Sequence, residues 1–164
     1  MLSTARHLAA EPPPGLRVLV VATGSEESFQ EGMQAFWARH GAELSPETTT
    51  VINFESVGSP ELLVLEGEGM LGVVDYTSEL RELAAACAEE IGVRTRRGLR
   101  LRNATDGLIP LKLGYPTLTL SSVDEFKAPT NYHWPTDVPG NVHYETVDQA
   151  ARTVVAVVES LAGS

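Results

Sequence analysis

Cysteine is all but absent from this chain: Cys87 is the only one among 164 residues. A single thiol forms no internal disulfide, and it makes a cysteine-ligated zinc site implausible. Cys87 falls in line with Leu80, Leu83 and Ile91 at helical spacing, which predicts a core position. Cations are scarce as well, with 12 Lys and Arg against 22 Asp and Glu, a formal net charge of −10. Binding a phosphate backbone needs a cationic surface, so nucleic acid is not an expected partner. No apolar run approaches the ~20 residues that cross a bilayer. The opening segment is too short and too polar for a secretory signal. Repeats are missing, and no G-x-x-x-x-G-K-S/T phosphate loop occurs, which disfavours a nucleotide-binding doubly wound domain.

What is present is the composition of a globular chain, 43% hydrophobic and 21% charged, at the length of one domain over residues 1–164. Residues 16–22 form a continuous apolar run, as expected of a strand buried on both faces. Phe29, Met33, Phe36, Trp37 and His40 then recur at helical spacing, predicting a helix over about 28–40 that ends at Gly41. Strands are predicted at 49–54, 61–65 and 116–120, and helices at 77–91, 108–113 and 145–161. The alternation implies an α/β fold, a layered α/β/α domain with a mostly parallel central sheet. The strands 16–22, 49–54 and 116–120 are expected to lie adjacent. The first ten residues read as an amphipathic helix with no N-cap before it, which suggests a cut inside a larger domain.

In such sheets, sites gather at the C-terminal ends of the strands. Three loops qualify, and each carries acids or histidine. The first holds Glu26 and Glu27, adjacent carboxylates that repel unless a cation sits between them, or that simply favour the next helix N-terminus. The second holds Glu55, an acid following Ile52, Asn53 and Phe54, costly to bury without a partner. The third is Asn131-Tyr132-His133-Trp134-Pro135-Thr136-Asp137, whose histidine is either packed or functional.

Taken in order, the Glu-Glu pair, the Asn53-Phe54-Glu55-x-x-Gly58 turn and the Tyr132-His133-x-Pro135-x-Asp137 loop resemble one family. It is the family of di-zinc aminopeptidases and glutamate carboxypeptidases, to which glutaminyl cyclases are related. Gly114-Tyr115-Pro116 adds to the likeness, which runs from about Leu16 to Val155. The resemblance implies a zinc-exopeptidase-like fold, of which this chain is the C-terminal portion, lacking the N-terminal part. It implies Glu26 as general base, Glu27 and His133 as ligands of one zinc, and Glu55 as ligand of a second. Tyr132 would offer its hydroxyl to the developing oxyanion, and Asp106 would stand behind the ligands. The substrate implied is a peptide or aminoacyl compound.

The sequence departs from the family in three ways. Glu55 stands where the family usually has Asp, and Gly107 follows Asp106 where His or an aromatic is common. The upstream His-x-Asp segment, which supplies a terminal ligand and the bridging acid, has no counterpart before Glu26. The expected outcome is an incomplete or weak peptidase, binding fewer zincs or binding them weakly. A silent peptidase-like binding domain, a carboxypeptidase and a glutaminyl-cyclase-like acyl transferase remain as alternatives. Arg94, Arg96, Arg97, Arg100 and Arg102 read as a charged edge strand, and an exposed sheet edge gives a route to homo-oligomers. With Met1 as the true start the chain would stay in the cytoplasm, whereas upstream sequence would leave secretion or a membrane tether open.

Overall fold

The computed structural model describes residues 1–163. Its central sheet has the order β1-β6-β2, built from Val51–Phe54, Thr117–Val123 and Glu61–Val64. β6 runs parallel to β1, with Ile52 opposite Leu118, and antiparallel to β2, with Leu63 opposite Ser121. A smaller sheet, β4-β3-β5, joins Val74–Asp75, Gly67–Glu68 and Arg100–Leu101. The class is the expected layered α/β one, with parallel and antiparallel pairings mixed.

β6 is buried along its whole length, and side chains two apart share a face. Leu118 and Leu120 join Val64 against α1 (Leu2–Ala10), α3 (Ser78–Glu90) and α5 (Tyr144–Ala162). Cys87 lies within this cluster, where its spacing predicted it. On the opposite face, Leu63, Leu65, Tyr76 and Val123 pack against Leu99, Leu101 and Leu111, the last from α4 (Leu108–Lys112). Met33 and Trp37 of α2 (Glu31–His40) close that layer against Tyr115. α3 stops at Gly92, whose φ of +75° is the left-handed value that favours glycine. Its wrap-around bond, Val93 N–H to Ala88 O at 2.8 Å, is the usual helix-ending arrangement.

Three expectations change. Residues 16–22 run without ladder hydrogen bonds, and Leu16, Val18, Leu19 and Val20 are exposed. An apolar run asks for cover, but a strand also needs a partner in register. Among the described residues β1 is a sheet edge, so the adjacency expected for 16–22 is not formed. The second helix begins at Glu31 rather than 28, because Phe29 and Gln30 take left-handed φ values of 60° and 56°. Of the arginine-rich stretch only Arg100–Leu101 is a strand, with Arg96 making an isolated bridge to Leu63.

Residues Gly67, Gly69 and Gly72 also have G-x-G-x-x-G spacing just after a strand. A dinucleotide fingerprint must open a helix, and this one forms the β3–β4 hairpin instead. No helix among the described residues is long and apolar enough to cross a membrane.

Candidate active site

The expected residues meet at one end of the central sheet. Glu55 leaves β1 directly, its N–H still bonded to Leu120 O of β6 at 2.9 Å. Ser122 Oγ of β6 then donates to Ser56 O at 2.6 Å and accepts from Ser59 N–H at 2.7 Å. Ser59 Oγ in turn accepts from Thr130 N–H at 2.9 Å, which seats the Tyr132–His133 loop beside the Glu55 turn.

The Glu26–Glu27 turn is shaped by its own backbone. Gln30 N–H donates to Glu26 O at 2.8 Å and Glu31 N–H to Ser25 O at 3.2 Å. Gly32 packs so closely on Gly24 that a Cβ there would lie 2.1 Å from the Gly24 oxygen. Ser25, Phe29, Gln30, Ser56, Asn131 and His133 all have positive φ, six of the seven non-glycine residues so placed among those described. Backbone in that region is strained for side-chain-bearing residues, and such strain concentrates at functional sites.

His133 Nε2 lies 2.8 Å from Glu27 Oε1. Tyr132 stacks on the His133 ring at 4.0 Å between centroids, and its hydroxyl donates to the same Glu27 oxygen at 3.3 Å. Glu26, Glu27, Glu55 and Tyr132 line one cavity of about 240 Å³, together with Phe29, Leu63, Met70 and Leu101. Asp106 sits below: it is buried, one carboxylate oxygen accepts from the Thr23 hydroxyl, and the other has no partner. Burial raises the Glu55 carboxyl above its ordinary value, with Glu26, Asp106 and Glu27 adding to the rise and the Ser56 hydroxyl opposing it. Burial and then the Glu27 charge raise the Tyr132 phenol.

No Lys or Arg among the described residues forms an ion pair with Glu26, Glu27, Glu55 or Asp106. Four acids with no fixed cation, one buried acid oxygen without a partner and an imidazole touching a carboxylate fit a divalent cation in donor type and charge. The number of donors is smaller than a closed site needs. No group of three or more His, Cys, Asp or Glu positioned to hold an ion occurs among the described residues. The Glu27–His133 pair would offer two donors at one point, and Glu55 a single one at another.

Four participants went unnoticed in the sequence. Thr23 bonds Asp106, and Gln30 donates to both Glu26 Oε1 and Ala104 O at 3.4 Å. Ser56 caps the Glu55 carboxylate with a 2.6 Å bond, and Ser122 links two loops. Ordinary polar residues, three in loops and Ser122 on β6, carry no pattern that would have marked them. The other histidines lie elsewhere. His7 faces Glu159 of α5, His40 stacks near Phe36 at the end of α2, and the His143 backbone bonds Gly58.

Fold and site together define an α/β chain of the zinc-exopeptidase type, with acids and a histidine gathered at the end of its sheet. The chain belongs to peptidase family M28, whose profile matches residues 1–158. Solved structures agree on the fold. The LapA aminopeptidase of Legionella pneumophila superposes with a TM-score of 0.70 at 15% identity, over 87% of this chain and 38% of that one. A glutaminyl cyclase from Tannerella forsythia gives 0.68 at 20% identity, over 96% and 59%. A Zn-dependent exopeptidase from Parabacteroides distasonis gives 0.64 at 18%, again over 96% and 59%. This chain therefore spans between 38% and 59% of the length of these relatives. A search of curated proteins finds no match.

Proposed function

We propose that this chain carries part of the site of a zinc-dependent exopeptidase of the aminopeptidase type, acting on peptide or aminoacyl substrates. The observation that carries this reading is the Glu27–His133 contact at 2.8 Å, with the Tyr132 hydroxyl on the same carboxylate and Glu26 and Glu55 in the same cavity. Glu27 and His133 would hold one zinc, and Glu55 a second. Bound zinc would supply carbonyl polarisation and a more acidic water.

The chain's own groups would do the rest. Glu26 takes the proton of the attacking water and returns it to the leaving amine. The Tyr132 hydroxyl donates to the oxygen on which charge develops. Asp106 acts from behind, through its bond to Thr23 and the turn that carries Glu26.

A catalytic zinc usually takes about three protein ligands. With two donors at one point, the isolated chain should bind zinc weakly and turn over substrate slowly or not at all. Zinc per chain after dialysis, measured beside hydrolysis of aminoacyl and carboxyl-terminal reporters, tests the proposal. No zinc retained at any concentration would favour a silent binding domain. A second reading, acyl transfer of the glutaminyl-cyclase type, gains support from the single point at which two donors converge.

We also propose self-association through the open edge of β1 and the exposed run at 16–22. α1 packs on α5 and Arg100–Leu101 pairs with β3, so neither forms a ladder with β1. A sedimentation profile with one monomeric species at all concentrations would refute it.

A further inference from the structure

Beneath the acids lies a buried carboxylate that the chemistry above does not use. Glu68, on the two-residue strand β3, is fully buried, and no lysine or arginine among the described residues pairs with it. An acid so placed is costly unless donors surround it. Three do. Thr105 N–H donates to one of its oxygens at 2.6 Å, the Thr105 hydroxyl donates to the other at 3.0 Å, and the Tyr76 hydroxyl bonds that second oxygen too.

The donors are themselves completed. The Thr105 hydroxyl oxygen accepts from Asn53 Nδ2 at 3.0 Å and from Gly107 N–H at 3.1 Å. Tyr76 accepts from the Thr119 hydroxyl of β6 at 2.7 Å. Gly107 lies hard against this network: a Cβ there would fall 2.5 Å from Thr119 Oγ1 and 2.6 Å from the Tyr76 oxygen. A fully satisfied buried network of this kind holds its members in one arrangement.

Its output points at the site. The neighbours of Thr105 on either side, Ala104 and Asp106, are both bonded to the segment that carries Glu26 and Glu27. Gln30 Nε2 donates to Ala104 O at 3.4 Å, and the Thr23 hydroxyl donates to Asp106. Asn53 of β1 adds a route to Glu55, which lies two residues further along the chain. We propose that Glu68 is a positioning residue for the site: by gripping Thr105 it fixes the 104–107 loop, and through that loop the turn that presents Glu26 and Glu27. It touches neither substrate nor metal ligand.

The test is site-resolved amide hydrogen exchange on the full, metal-free chain, comparing wild type with Glu68→Ala and Glu68→Gln. In Glu68→Ala the amides of Thr105, Gly107, Gln30, Glu31 and Gly32 should lose protection about tenfold or more, with β1 and β6 unchanged. Glu68→Gln, which keeps an acceptor for the Thr105 N–H, should restore protection to within about threefold. A uniform loss across β6, or no loss at residues 30–32, would overturn the proposal by making Glu68 merely structural or merely local. Where Glu68→Ala does not fold, Thr105→Val removes the hydroxyl junction alone, and unchanged protection at 30–32 in that variant overturns the proposal equally.

A second arm rests on the reading above: zinc affinity, by competition with a chromophoric chelator. Supporting residues behind metal ligands typically change affinity by about 10–100-fold. Glu68→Ala should weaken binding in that range and Glu68→Gln should not. A wild type that binds no zinc counts against the proposed function, while the exchange result still decides the role of Glu68.

Discussion

His133 Nε2 and Glu27 Oε1 lie 2.8 Å apart although 106 residues separate them in the chain. Both side chains are well exposed, at 61% and 65%. An exposed pair of this kind contributes roughly 0–1 kcal/mol to stability, so neither residue is expected to matter much for folding. Replacing either residue by Ala should leave the thermal midpoint nearly unchanged and abolish retained zinc. Calorimetry and elemental analysis check this together, and a large drop in the midpoint would mean the pair is structural.

In the proposed function Glu26 moves a proton, and it is not a member of the Glu27–His133 pair. Glu26→Gln keeps the size of the side chain and the accepting oxygen for Gln30 Nε2. Zinc uptake should survive, while any metal-dependent hydrolysis falls by about 10²–10⁴-fold, the range of a lost general base. Equal loss of zinc and of turnover would instead make Glu26 a ligand.

The turn carrying both glutamates depends on contact between two glycines. Gly32→Ala would drive a Cβ to 2.1 Å from the Gly24 oxygen, so the turn must open. Overpacking of this sort costs about 1–3 kcal/mol, and the variant should unfold earlier in urea and lose zinc. The same substitution at Gly140, which has open space around it, should do neither.

Glu68 gives the chain a pH dependence with a definite sign. Burial raises its carboxyl above the ordinary 4.5, helped by the charge on Glu55 and opposed by the bonds from Tyr76 and Thr105. Between 4.5 and the raised folded value, the folded chain binds more protons than the unfolded one. Unfolding free energy therefore falls as pH rises through that window. Glu68's contribution is complete below 4.5 and lost above the folded value. Glu68→Gln cannot ionise, so urea titrations should show it gaining on wild type as pH rises above 4.5. A constant difference there would contradict the assignment.

Much of the site was legible because it follows strand ends. Glu55 and the Tyr132–His133 loop stand where an α/β sheet collects its chemistry, and the order of the three acidic or histidine-bearing loops carried the family likeness. β6 was legible as an unbroken buried run, though its last residues reach Val123, past the predicted end at 120. Residues 16–22 have the same apolar character and no ladder, since hydrophobicity reports the need for cover and not the presence of a partner. The start of α2 was misplaced because nothing in the letters of Phe29 and Gln30 marks a left-handed backbone. Glu68 left no trace either: a two-residue strand has no periodicity, and its partners come from positions 53, 76, 105 and 119 through one another.

β6 has neighbours on both sides, one parallel and one antiparallel, and this makes it a ruler for the site. Thr119 faces Tyr76 and Asn53, while Ser122 reaches the Glu55 turn on one side and, through Ser59, the His133 loop. A slip of one residue would turn every side chain of the strand to the opposite face. Leu118 and Leu120 would then stand among polar partners, and Ser122, which shares their face, would turn away with them from the two loops it ties. Such a slip would have to break two ladders of opposite direction at once, and no single shear relieves both. The separation between Glu55 and His133 is thus set by the indexing of a buried strand, and mutations in the hydrophobic core can detune the site without touching any of its residues.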